Sequence, residues 1–283
     1  MRSTFTRAAL VLAGAALLSA CGTIQRHKEL TAENRTRLKE VRIQLVVPQE
    51  TFIFSATGAG VAAVGGLIPA LIDASIQKSR QESMRGDMEA MADKLIDVDF
   101  RAEAQLGLDE AAPQLPMRVV SAKVDAAMPT KKAGDAMVAA TKGQPAYLRL
   151  LLQYSMDPRT LWLTTRTHAS LWQEGAAEPT FAGSAVYQGR LEASPMPASA
   201  SQWTPQVMEA LRREMRQSIR QTVKMVALDL TGQAAAKDAL KKPYPFMSPG
   251  QAGPLQVQAV ALAEDATRVL VRDTGGVMFS LQK

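Results

Sequence analysis

The stretch 148–172 reads LRLLLQYSMDPRTLWLTTRTHASLW. Leu148, Leu150, Leu152 and Tyr154 fall on alternate positions, the period of a strand with one buried face. Asp157-Pro158-Arg159 supplies a turn, and Thr160 to Trp172 alternates again. One face of that second strand carries Leu161, Leu163, Thr165, Thr167, Ala169 and Leu171; the other carries Trp162, Thr164, Arg166, His168, Ser170 and Trp172. Gly175 to Pro179 turns once more, and Thr180 to Gln188 gives a third strand, so the region is an antiparallel meander. The face with two Trp, an Arg and a His has two readings. It is a binding surface for glycan or peptide, or it is packed under a helix, the commoner fate of such residues.

Outward from the meander, Val41, Ile43, Leu45 and Val47 alternate with polar residues up to Pro48, and Met117 to Val124 is rich in valine; both read as strands. Met84, Met88, Met91, Leu95, Val98, Ala102 and Leu106 recur at spacings of three and four, an amphipathic helix that ends before Pro113. The strongest helix signal follows a Ser/Pro/Ala loop. Thr204 can cap, Pro205 suits the first helical position, and Met208, Leu211, Met215, Ile219, Val226 and Leu230 form an apolar stripe with Gly232 past its end. Arg213, Arg216, Arg220 and Lys224 share another face of this helix, which is either solvated or a contact for an anionic partner. Residues 233–254, with Pro243, Pro245, Pro249 and Pro254, read as an extended linker. In 255–283 three alternating stretches and the turn Asp273-Thr274-Gly275-Gly276 give a small three-stranded β appendage. The fold class expected is therefore an α+β (or α/β) sandwich: a mixed, mainly antiparallel sheet covered by two long amphipathic helices, with the main domain over 41–232.

Residues 51–72, TFIFSATGAGVAAVGGLIPALI, contain no charge. Gly58, Ala62, Gly66 and Ala70 recur every fourth position, which on a helix lines one face with small side chains, as in a glycine zipper. As a helix this stretch would reach about 33 Å, a bilayer core. Its four glycines and Pro69 argue instead for a tightly packed segment of the fold, since each Gly weakens a helix by about 1 kcal/mol and an interior Pro by about 3. Gly58-Ala59-Gly60-Val61-Ala62-Ala63 also matches a dinucleotide fingerprint loosely, but the strand and acidic residue expected about 20 positions on are missing from the charged stretch after it.

Chemistry is scarce in this chain. It has 2 His and 1 Cys. His27 and His168 are not at metal-ligand spacing, so no metal and no cofactor is expected. There is no G-x-S-x-G elbow, H-E-x-x-H or phosphate loop. The net charge of +6 is spread along the chain and does not mark a nucleic-acid binder.

The N-terminal stretch gives the most specific signal. Arg2 and Arg7 precede the uncharged run Ala8 to Ala20, which ends Leu18-Ser19-Ala20-Cys21. A basic start, a short apolar run and small residues before a cut describe an export signal, 1–20. The last four residues resemble the lipobox of bacterial lipoproteins. That resemblance implies that Cys21 becomes the first mature residue and carries a lipid. Gly22 in place of Asp implies the outer membrane, with the protein facing the periplasm. Residues 21–40, polar and charged, then read as a tether. The element order is also similar to that of periplasmic lipoprotein domains of the curli-secretion and penicillin-binding-protein-activator type. The functions expected are, first, a non-enzymatic component of envelope assembly or maintenance with a protein partner. The second is a subunit of an export or pore complex that oligomerises through the zipper, and the third is an envelope hydrolase.

Overall fold

The computed structural model describes residues 27–49, 95, 98–129, 134, 136, 145–157, 161–192, 203–232, 240–247 and 254–283. The meander forms as the alternation requires: β3 (Ala146–Asp157), β4 (Trp162–Trp172) and β5 (Phe181–Arg190) pair antiparallel in order. The parallel pair β1 (Glu40–Val46) and β2 (Arg118–Asp125) joins at the β3 side. At the β5 side, β9 (Met278–Gln282) pairs parallel, and β8 (Arg268–Asp273), β7 (Leu255–Glu264) and β6 (Lys242–Phe246) follow antiparallel. One mixed sheet of nine strands results, in the order β2-β1-β3-β4-β5-β9-β8-β7-β6.

Three helices are described: α1 (Ala32–Arg37), α2 (Phe100–Ala111) and α3 (Pro205–Thr231). Thr204 caps α3, Pro205 opens it, and Gly232 closes it at φ 73°, a left-handed conformation that a side chain disfavours. Its stripe from Met208 to Leu230 is buried on Ile43, Leu148, Leu150, Leu163, Ala169 and their neighbours. Each fully buried large side chain in that layer contributes about 1.5–3 kcal/mol. Gly107 of α2 packs against Arg216 and Ile219 of α3.

Several expectations need correction. The sheet predominates: α3 has 27 residues, but the described part of the first amphipathic stretch is a 12-residue helix. Asp99 accepts from the N–H groups of Arg101 and Ala102, so a new helix starts there with its own phase. Its buried face is Phe100, Ala104, Gly107, Leu108 and Ala111, which leaves Leu106 exposed. Residues 27–40, expected as part of a tether, are docked. Leu30 enters the core, Lys28 forms a bridge with Ala182, and His27 meets Asp229. Leu30, the one large apolar side chain of this polar run between His27 and Arg37, is the residue that docks it.

The expected linker 233–254 contributes β6. Its prolines, Pro243 and Pro245, are tolerated because β6 is an edge strand, where alternate N–H groups have no partner to lose. The expected appendage is continuous with the main sheet through β5 and β9, and it has a fourth strand, β6. It is also curled. A flat sheet would hold β6 and β9 about 14 Å apart, three strand spacings. Instead the rings of Phe246 and Phe279 are 5.9 Å apart, and the Met247 N–H reaches the Gln188 side chain of β5 at 2.8 Å. The register shift between Ala261 and Ala263 bends β7, and Val186, Phe246, Ala259, Val269, Val271, Phe279 and Leu281 fill the hollow.

Glutamine amides extend or close the sheet at three places. Gln49 exchanges hydrogen bonds with the backbone of Tyr154, and Gln188 with that of Met247. At the outer edge of β2, Gln105 of α2 accepts from the Val124 N–H at 2.9 Å and donates to the Ala122 carbonyl at 3.5 Å. A shift in register at Val120 bulges the same edge.

Candidate functional site

The register sets which side chains share the face of the sheet opposite α2 and α3. Paired rows across β1, β3, β4 and β5 are Arg42, Tyr147 and Trp172; Gln44, Arg149, Ser170 and Ala182; Val46, Leu151, His168 and Ser184; Gln153, Arg166 and Val186; and Ser155, Thr164 and Gln188. Polar residues at alternate positions of four adjacent strands therefore converge on one surface, the consequence of period two in each strand. Trp162, Arg166, His168 and Trp172 lie on it as the alternation in β4 predicts. Of the two readings of that face, packing under α3 is excluded, because α3 covers the alternate residues Leu163, Ala169 and Leu171.

One end of the surface is a tight network. Tyr147 donates to Gln44, whose amide donates to Asp125, and Asp125 pairs with Lys123 at 3.2 Å. The Tyr147 and Trp172 rings stack at 5.5 Å and 26°, and the Arg149 guanidinium lies 4.7 Å from the Trp172 ring. Burial pushes the Tyr147 phenol up, so it stays a donor at neutral pH. At the centre, His168 Nδ1 and Ser184 Oγ are 3.0 Å apart. Burial, and then the neighbouring Arg166, hold the His168 imidazole below its usual range; burial alone lowers Arg166. Arg166 and His168 are half-buried. Tyr147, Trp172, Gln44 and Ser170 are buried, so the open part of this face is Arg149, Trp162, Arg166, His168 and Ser184, which is mainly cationic and hydrogen-bonding.

On the helix side two ion clusters lock elements together. Asp229 of α3, 5% exposed, accepts from Arg272 of β8 at 2.5 Å and lies 3.1 Å from His27 Nε2. Tyr187 donates to Glu214 at 2.5 Å, and Arg268 stacks 4.1 Å over the Tyr187 ring while donating to the carbonyls of Gln188 and Ser280. Burial raises Glu214 and lowers Arg268.

The basic face of α3 does not assemble as one surface. Arg216 lies 3.6 Å from Glu103 and 3.2 Å from Glu209, and Arg220 pairs with Glu110, so both serve the α2–α3 contact. Arg213 and Lys224 are exposed. Cys21 and the zipper positions Gly58, Ala62, Gly66 and Ala70 lie outside the described residues. Among the described residues no group of three or more His, Cys, Asp or Glu is placed to hold a metal, and no helix is long and apolar enough to cross a membrane.

Sequence reasoning missed Gln44, Tyr147, Arg149 and Ser184 as members of the sheet-face site, and His27, Asp229 and Arg272 as a cluster. For the first group the signal was present in the alternation of β3, where Tyr147 and Arg149 fall between the buried leucines; their place beside Trp172 and His168 needed the strand register. Compared with models of known families, with curated proteins and with solved structures, the chain matches none.

Proposed function

We propose that the chain is a lipid-anchored, periplasm-facing outer-membrane lipoprotein that acts without catalysis, through contacts with a partner in envelope assembly or maintenance. The observation that carries this reading is Leu18-Ser19-Ala20-Cys21, where the one cysteine of the chain follows an export-type stretch at the position lipidation requires. Two features of the fold support it. The α2 and α3 layer on one face leaves a two-layer α+β arrangement whose other face keeps Arg149, Gln153, Trp162, Arg166 and His168 at least partly open for contact. His27 is held on the fold six residues after Cys21, so an anchor there would keep the folded body within about 20 Å of the lipid surface, the full reach of six residues.

The test is metabolic palmitate labelling of the wild type and of Cys21→Ala, followed by carbonate washing of the membranes. Label that depends on Cys21, with Cys21→Ala released by the wash, is the expected result. Label independent of Cys21 would overturn the reading. Labelled wild type with Cys21→Ala retained after washing would assign the membrane contact to residues 51–72 as well, and would favour the export-complex alternative.

A further inference from the structure

We infer that Arg166 and His168, at the centre of the sheet face opposite α2 and α3, form a binding site for an oxyanion, a phosphate or carboxylate group of a ligand. The position of Arg166 is the starting point. It sits mid-strand in β4, flanked across the strands by Gln153 and Val186 and along its own strand by Thr164 and His168. None of these is acidic, and among the described residues no carboxylate contacts Arg166. Four other partly buried arginines meet oxygen. Arg268 donates to two carbonyls, Arg272 reaches Asp229, and Arg216 and Arg220 reach Glu103 and Glu110. Taking a guanidinium partly out of water without a counter-charge is costly, so a position that keeps one is a candidate for an external anion.

The surroundings carry the argument further. Among the described residues Arg149, Arg166 and His168 share this face, while Asp125 at its β2 end is already held by Gln44 and Lys123. The charge balance at the centre therefore complements an anion. Ser184 can donate to His168 Nδ1 at 3.0 Å, and an imidazole that accepts there presents its N–H from Nε2. A planar fork of donors on Arg166 beside a single N–H on His168 matches the two or three oxygens of a carboxylate or phosphate. Both residues keep part of their surface open, so a small anion can reach them. The site stands apart from the anchor at Cys21 and does not depend on it.

The test uses the full chain in mild detergent, titrated with inorganic phosphate and, separately, with glucuronate, at constant ionic strength set with chloride. Binding is followed by the ring nitrogen shifts of His168 and by thermal unfolding. Saturable His168 shifts and a higher Tm with one of the anions are expected, and the anion that acts distinguishes phosphate from carboxylate. Arg166→Gln should weaken that binding about tenfold or more, the worth of a charged hydrogen bond. Without anion the same variant should melt no lower than the wild type, because it removes a charge that no described carboxylate neutralises; a purely structural arginine would lower the Tm. Lys224→Gln, on the opposite side of the molecule, should change neither. If Arg166→Gln does not fold, Arg166→Lys keeps the charge but loses the fork, and it must also bind more weakly. Absence of saturation with both anions, or unchanged affinity in a folded Arg166 variant, would overturn the proposal.

Discussion

Gly107→Ala sets two effects of known sign against each other. In a helix interior Ala is better than Gly by about 1 kcal/mol, so an isolated α2 would gain from the change. In the fold, a Cβ on Gly107 would lie 2.8 Å from Ile219 Cβ and 2.9 Å from the Arg216 carbonyl oxygen, against 3.4 Å or more for an ordinary contact. The obstacles are a branched Cβ and backbone of α3, neither of which can swing away. The helices must therefore separate by about half an ångström, and contacts around the crossing each lose about a quarter or more of their dispersion attraction. Overpacking of this kind costs about 1–3 kcal/mol, so the net expectation is a loss of about 1 kcal/mol. Urea unfolding followed by circular dichroism should show a lower midpoint with an unchanged slope. The Tm should fall by about 2–4 °C. A variant about 1 kcal/mol more stable than the wild type would show only the helix-propensity gain, and would refute the close approach of α2 to α3.

Asp229→Ala should be severe, because it leaves Arg272 without its carboxylate and releases His27: a loss of about 3 kcal/mol, at the lower end for a broken buried pair since Arg272 keeps some exposure. Hydrogen exchange should quicken first in residues 27–38; a loss under about 1 kcal/mol would contradict the lock. Glu214 has its carboxyl raised by burial, so in the folded state it holds its proton more tightly than in the unfolded chain. Its contribution must then fall as pH rises from the ordinary glutamate range through the raised folded value. Glu214→Gln, which still accepts from Tyr187, should flatten that part of a stability–pH curve, and an unchanged slope would count against it.

Much of the framework was legible because it is local. Thr204, Pro205 and Gly232 mark α3 by capping chemistry that needs only neighbouring residues, and the alternation of Leu148 to Tyr154 needs only the next strand. What escaped was non-local. Nothing around Val277 to Leu281 announces that it pairs parallel with β5, and the prolines of β6 look like a linker until an edge position makes them harmless. The phase of α2 was lost because Asp99 restarts the helix, a choice that a continuous stripe of apolar residues conceals. The candidate site follows the same division. Arg166, His168, Trp162 and Trp172 could be placed on one face from β4 alone, whereas Arg149 and Ser184 join them only through register. The lock of His27, Asp229 and Arg272 joins residues 202 and 43 positions apart, far beyond any periodic signal.

The treatment of the two outer strands limits how copies of this chain can associate. Along β2 the Gln105 amide occupies the backbone groups that a visiting strand would need, and the bulge at Val120 spoils the register beside it. Along β6 the prolines have no N–H to offer. Growth of the sheet into a ribbon, or capture of an extended peptide at its border, would first require Gln105 to swing out or β6 to peel off. At the described borders, self-assembly by strand exchange is thus disfavoured from the moment the fold is complete, and a recruited protein meets broad surfaces in preference to open borders.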